Sequence, residues 1–205
     1  AYLHTAQALH IPADLMAPYF RAMSDDLKVT RFPTFEDLHH YMEGSAMVVG
    51  RGMCHILGTL TQPVSNAYPP AESLAIAMQL SNFWRDIGED WQRGRVYLPQ
   101  EDLQHFGVSE ADLAQKQVTP GLIELLEFEF ERTHRYYEQA RRGIALLQSG
   151  HWGVLNALEI YRAILDDIRK HQYDVFSRRA GAPTWRKAWL VARAWWQVRS
   201  TRAIQ

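Results

Sequence analysis

The 205-residue sequence predicts an all-α fold, and three observations predict it. Every long apolar segment repeats with the 3.6-residue period of a helix; no β-branched run alternates strictly between faces; and the breaks between segments carry helix-start and helix-stop residues. The elements follow in order. The chain opens AYLHTAQALHIP, with neither an initiator Met nor a recognisable helix start, so this reading expects a natural N-terminus upstream. Thr34, with Asp37 three positions on, makes a capping-box-like start for a long helix from Phe35 to Leu57, stopped at Gly58. The turn-rich TQPVSNAYPP precedes a second helix from about Ala71 to Asp90. RGRVYLP then breaks the period, and Pro99 opens a short segment that ends near Gly107. Thr119 and Pro120 form an N-cap and first-turn pair for a helix reaching about Gln148. Gly150 and Gly153 bracket the start of one that runs to about Lys170, and Pro183 and Thr184 begin the last.

Composition bounds the function. With 47% hydrophobic and 22% charged residues, residues 1–205 can bury one ordinary core, and a single domain is expected. Cys54 is the only cysteine, which rules out an intrachain disulfide and fits a reducing cytosol. No apolar run reaches the roughly 18 residues of a membrane span. A net charge of −1 argues against a nucleic-acid binder, although seven Lys or Arg and no acid follow Asp174. His39, His40 and the other histidines show no metal-ligand spacing, and Asp166 and Asp167 read as a solvated helix face.

The chemistry concentrates in SNFWRDIGEDWQRGRVYLPQEDL, residues 81–103. On one helix, Gln79, Asn82, Asp86 and Asp90 fall within about an 80° arc. Two like-charged carboxylates one turn apart repel, so a cation is expected between them. Either a neighbouring Arg85, Arg93 or Arg95 neutralises a solvated helix end, or the pair holds a hard dication such as Mg²⁺, which takes oxygen ligands and links carboxylates to phosphate. Arg93, Arg95 and Tyr97, on a glycine-containing loop immediately after, add donors for phosphate oxygens. Acids for a metal beside arginines for an anion suit a diphosphate. On the preceding helix, Tyr41, Ser45, Val48 and Gly52 share a face with a polar tip above small side chains. That stripe either leaves room for a hydrocarbon or permits a tight helix crossing.

The block QLSNFWRDIGEDWQRGRVYLPQEDL, from Gln79, resembles the second aspartate-rich motif of the phytoene/squalene synthase family. YMEGSAMVVGRGMCHILG, from Tyr41, resembles that family's tyrosine-led helix in the Gly-Ser-Ala form of bacterial phytoene synthases. IYRAILDDIRKHQYDVFSRRAGAPTWRK resembles its C-terminal helix and following turn. The resemblance implies an all-α isoprenoid-synthase fold and head-to-head condensation of two prenyl diphosphates, expected to be two geranylgeranyl diphosphates joined through a cyclopropylcarbinyl diphosphate to phytoene. It implies Mg²⁺, or Mn²⁺ in its place, on Asp86 and Asp90. Gln79 and Asn82 would support metal or diphosphate, and Arg85, Arg93 and Arg95 would neutralise departing pyrophosphate. Tyr41 and Tyr97 would stand near the cation, with Ser45 and Tyr161 beside the substrate. Phytoene formation needs no NADPH, whereas the alternative, a squalene synthase acting on farnesyl diphosphate, would use it. A second alternative is a non-catalytic synthase-like assembly factor.

The family carries two aspartate-rich motifs and this chain has one, since Asp25 and Asp26 have the wrong spacing and match the ordinary M-x-x-D-L segment. The other motif is expected upstream, and the 205 residues alone are expected to condense little substrate. In the tail, Trp185, Trp189 and Trp196 accompany Arg186, Lys187, Arg193, Arg199 and Arg202. That combination reads either as a helix burying its tryptophan face in the core or as peripheral contact with the cytoplasmic leaflet of the inner membrane.

Overall fold

A computed structural model describes residues 2–181. The predicted last helix and its tryptophan stripe lie outside the described residues. Ten α-helices occur among them: α1 (Tyr2–Ala8), α2 (Ala17–Asp25), α3 (Phe35–Met42), α4 (Val48–Leu57), α5 (Tyr68–Arg85), α6 (Ile87–Gln92), α7 (Gln100–His105), α8 (Glu110–Ala114), α9 (Pro120–Gly143) and α10 (His151–Lys170). The nearest approach to a strand is one isolated bridge, Thr59 to Leu147. No described helix is long and apolar enough to cross a membrane.

Helix α5 is the hub. Its Ile76, Ala77, Leu80, Phe83 and Trp84 are buried, and α9 packs antiparallel along it with Leu122, Leu126, Phe130, Tyr137 and Ala140 turned inward. Polar rungs fix the register inside this apolar contact. Trp84 Nε1 donates to Thr133 Oγ1 at 2.9 Å, and Ser81 Oγ lies 2.7 Å from Tyr137 Oη. Each polar group is paired, so burying it avoids a cost of about 1–3 kcal/mol. Helices α4 and α10 pack against other faces of α5.

The expected helix over Phe35–Leu57 exists but is not uniformly α. Thr34 and Asp37 form the predicted capping box, and then a π-helical turn at Glu43–Met47 separates α3 from α4. That turn rotates the small-residue stripe. Val48 is fully buried in the core rather than facing a cavity, and the cavity wall is instead Ser45, Val49, Gly50 and Met53. A close crossing occurs instead at Gly50, outside that stripe, where a Cβ would lie 2.7 Å from the Ala71 carbonyl of α5, whereas one on Gly52 would meet only Leu15 Cδ2 at 4.0 Å.

The helix expected from Ala71 to Asp90 is broken at Asp86, where φ is −101° and ψ 13°. The backbone N–H of Gly88 donates to the Val175 carbonyl at 3.3 Å, outside the helix, so the intrahelical ladder lapses for one turn. A Cβ there would stand 2.8 Å from that same carbonyl, so only glycine permits the approach. Helix α9 ends at Gly143, five residues short of the expected Gln148, in a 3₁₀ turn at Ile144–Leu146. Asp167, expected in solvent, is buried; its Oδ2 accepts from Gly181 N at 3.1 Å and pairs with Arg178 at 3.2 Å.

Candidate active site

Two neighbouring regions hold the predicted site residues. The first is an apolar cavity of about 410 Å³ walled by α4, α5, the end of α9 and the start of α10. Its polar lining is Ser45 from the π turn, Gln79 and Asn82 from α5, and Tyr161 from α10; most of the remaining wall is apolar. Ser45 Oγ is buried without a protein hydrogen-bond partner among the described residues. The far end is closed by a stitched pair of loops: Leu60 N donates to Leu146 O at 2.7 Å and Gln148 N to Gly58 O at 2.9 Å.

The second region begins one helical turn beyond Asn82, whose carbonyl accepts from Asp86 N at 2.9 Å. Asp86 is held by two arginines. Arg85 Nε donates to Oδ1 at 2.8 Å and Arg179 Nε to the same oxygen at 2.9 Å. Burial pushes this carboxyl up, but the hydrogen bonds from Arg85 and then Arg179 outweigh it and hold the group below its ordinary value. Asp90 is the contrast: no side-chain hydrogen bond reaches it among the described residues, and burial followed by the nearby Asp86 charge raises it to about 6.

The arginines divide differently from the expectation. Arg93 is exposed and pairs with Glu89 one turn back, and its charge acts on Asp90 at longer range, opposing the upward push on that carboxyl. Arg95 turns the other way: Nη1 donates to Tyr97 Oη at 2.8 Å and Nη2 to the Asp26 carbonyl at 2.7 Å. Tyr41 Oη donates to Asp26 Oδ1 at 2.7 Å, and burial first and then that hydrogen bond push its phenol far above the ordinary range. Tyr97 stacks on Phe83 with ring centroids 3.9 Å apart. Arg95 and Tyr97 meet Asp26 because their loop is sewn to residues 30–33: Val96 N donates to Thr30 O at 3.0 Å and Gln100 N to Phe32 O at 2.9 Å. Asp90 joins this cluster through its carbonyl, which accepts from Arg95 N at 2.8 Å.

The donor set suits a hard dication. Asp90 is a half-buried carboxylate without a side-chain hydrogen bond among the described residues, Asp86 stands beside it, and every candidate donor is oxygen. Among the described residues no three acids, histidines or cysteines cluster as a metal cage. Residues 1–186 match the squalene/phytoene synthase family profile.

The chain belongs to the squalene/phytoene synthase family. It is 41% identical over 173 residues to a phytoene synthase of Arthrospira platensis and 42% identical over 172 residues to a 15-cis-phytoene synthase of Synechococcus elongatus. Each match covers 79% of this chain and 56% of the relative, so the chain spans little more than half the length of these proteins. A solved dehydrosqualene synthase superposes with a TM-score of 0.77 at 32% identity, covering 90% of this chain and 65% of that one. A squalene synthase from Alicyclobacillus acidocaldarius gives 0.74 at 27% identity, covering 83% and 64%. The fold is the all-α isoprenoid-synthase fold.

Two residues of this squalene/phytoene synthase family member escaped the sequence reading. Asp26 was set aside for its spacing, yet it joins Tyr41 to Arg95 across 15 and 69 positions of sequence. Arg179 sits inside the third resembling block and reaches Asp86 from 93 residues away. The Arg-Arg pair at 178–179 was the available signal, because two arginines following a helix that packs on an acidic motif are anion or carboxylate partners.

Proposed function

We propose that the protein condenses two prenyl diphosphates head-to-head, with geranylgeranyl diphosphate as substrate and phytoene as product. One observation carries this reading: an apolar cavity of about 410 Å³ has its polar residues at the end where Asn82 leads by one helical turn to Asp86 and Asp90. A long hydrocarbon with a doubly charged head matches that polarity. Asp86 and Asp90 would hold Mg²⁺, which when bound supplies neutralisation of diphosphate charge as the carbon–oxygen bond breaks. Gln79 and Asn82 orient the head at the cavity mouth, and Ser45 offers an unengaged hydroxyl beside it.

Arg85 and Arg179 hold Asp86 ionised and present further guanidinium donors to the departing pyrophosphate, an electrostatic rather than acid–base role. Arg95 is fixed by Asp26 and Tyr97, so its charge is oriented before substrate arrives. Tyr41 stays protonated, and Tyr41 and Tyr97 pack with Phe32 and Phe83 beside the same cluster. Electron-rich faces stabilise an allylic cation without reacting with it. Action at the cytoplasmic membrane face is part of the proposal, supported by the lipid character of the substrates and by the seven basic residues after Asp174. Asp86→Asn in the complete protein that carries this sequence tests the reading: hydrocarbon formation from geranylgeranyl diphosphate should fall at least about 100-fold with normal folding. Unchanged turnover would remove the assignment.

A further inference from the structure

Arg95 and Tyr97 are held in place from outside the candidate site. Their loop runs directly into α7, where Glu101 N donates to Pro33 O at 3.0 Å beside the Val96 and Gln100 seams. The Glu101 side chain returns the contact, accepting from Phe35 N at 2.7 Å. Its neighbour Asp102 is buried and meets α9, where its Oδ2 accepts from Arg132 Nη1 at 2.8 Å. The same Nη1 donates to Glu129 Oε1 at 2.8 Å, and the guanidinium packs on the rings of Phe35, at 4.0 Å, and Phe128, at 4.6 Å. Arg132 of α9 therefore grips both α7, which ends the loop of Arg95 and Tyr97, and Phe35, the first residue of the helix that carries Tyr41. Leu98 and Leu103 bury apolar surface beside the loop, but apolar burial is non-directional and does not fix a register. A charged hydrogen bond does.

The rest of this joint explains how one guanidinium serves two buried acids. Glu129 is fully buried, and its Oε2 lacks a hydrogen-bond partner among the described residues. Two carboxylates against one cation would bury a surplus negative charge, which is far more costly than burying a neutral group. Burial drives the Glu129 carboxyl well above its ordinary value, against the Arg132 charge and with the Asp102 charge. A proton on Glu129 removes the surplus and leaves Asp102 as the charged acid that Arg132 holds.

We infer that Asp102 and Arg132 are positioning residues for the proposed reaction, holding the loop of Arg95 and Tyr97 in the register at which it meets Asp26 and Tyr41. The inference rests on the prenyl diphosphate reading for its chemistry and adds two residues outside the candidate site. A loop shift of about 1 Å carries Arg95 Nη2 out of hydrogen-bond range of the Asp26 carbonyl, which lies 2.7 Å away. Misplacing a reacting or stabilising group by that much can slow a reaction about 100-fold. Gln79 and Asn82, proposed to orient the diphosphate head, lie on α5, away from this joint. The loss should therefore fall on kcat and spare KM.

Asp102→Ala cuts the joint without stranding a charge, because Glu129 can release its proton and pair with Arg132 instead. Arg132 keeps its grip on Phe35, so the loosening falls on the seams between residues 30–33 and the loop. Hydrogen–deuterium exchange of the complete protein should then quicken about tenfold or more at the Val96, Gln100 and Glu101 amides, with α5 and α9 unchanged. With geranylgeranyl diphosphate and Mg²⁺, kcat per folded molecule should fall about 10–100-fold while KM stays within about twofold. Asp102→Asn keeps the shape and an acceptor, so both effects should be intermediate. Glu129→Gln keeps the bond between Asp102 and Arg132 and should change neither by more than about twofold. A folded Asp102→Ala whose three amides exchange at the wild-type rate, or whose kcat per folded molecule is unchanged, overturns the inference. So does acceleration spread equally over α5 and α9, which marks a role in stability alone. Should Asp102→Ala fail to fold, the same amides in Asp102→Asn decide. Wild type that yields no hydrocarbon removes the condensation reading, and amide exchange then decides the joint by itself, so the two fail separately.

Discussion

Replacing Asp90 by Asn should make the metal-free protein more stable and the enzyme inactive. The folded protein raises Asp90 from 3.8 to about 6, through burial and then the Asp86 charge. That rise corresponds to roughly 3 kcal/mol, and because the carboxylate is only half-buried the working range is about 1–3 kcal/mol. The direction follows from linkage. A carboxyl whose folded pKa exceeds its unfolded value favours folding when protonated, so its cost is absent below about pH 4, grows as pH rises towards 6, and is complete above that. At pH 7.5 without metal, Asp90→Asn should therefore melt roughly 2–12 °C above wild type, using about 2–4 °C per kcal/mol for a chain of this size. At pH 4 the two should coincide. Added Mg²⁺ should raise the wild-type melting temperature at pH 7.5 and leave the variant unmoved. Differential scanning calorimetry from pH 4 to 8, with EDTA or Mg²⁺, reads all three. A variant that melts below wild type at pH 7.5, or a difference independent of pH, refutes the view of Asp90 as an uncompensated carboxylate awaiting a cation.

Asp26→Ala leaves Tyr41 Oη and one side of Arg95 without their partner. It should cost about 1–3 kcal/mol in urea denaturation and reduce turnover, while Asp25→Ala, at the adjacent acid, should do neither. Arg132 donates to both Asp102 and Glu129 at 2.8 Å and covers the Phe35 ring at 4.0 Å. Arg132→Met should cost about 3–5 kcal/mol by stranding the buried Asp102 beside it. Glu129→Gln should be nearly neutral, because burial already drives that carboxyl upward and its Oε2 lacks a partner; a loss as large as that of Arg132→Met would contradict this. Arg179→Gln removes one of the two guanidinium groups on Asp86. The Asp86 carboxyl should then titrate higher by NMR, and the Michaelis constant for diphosphate substrate should rise.

Legibility followed sequence distance. The long helices announce themselves because burying one face of a helix imposes a 3.6-residue period on the chain itself, and Thr34, Thr119 and Gly150 mark their starts at the positions found. Helix α8 also carried a readable signal, the Ser109–Asp112 capping box, but five residues are too few for a period. Helix α2 carried only Pro18 in its first turn, because Met16 before it makes no side-chain cap. The break at Asp86 was not readable at all, because its cause is the Val175 carbonyl, 87 positions beyond Gly88. The same distinction divides the site. Asp86, Asp90, Gln79 and Asn82 lie on one local stretch and could be grouped by helical geometry. Asp26 and Arg179 join only when the loop at residues 94–100 docks on residues 30–33 and the turn after α10 returns to α5 and α6. Arg93, one position away from that loop, was assigned with Arg95 although the docking turns the two in different directions.

The most direct test of the account incubates the complete protein with geranylgeranyl diphosphate and identifies the extracted hydrocarbon by mass spectrometry, with Mg²⁺ or EDTA, for wild type and the Asp86→Asn, Asp90→Asn double variant. The account predicts a C40 head-to-head product from wild type with Mg²⁺ alone, and none from EDTA-treated protein or the double variant. Product formation by the folded double variant, or wild type that turns over equally well in EDTA, would contradict it.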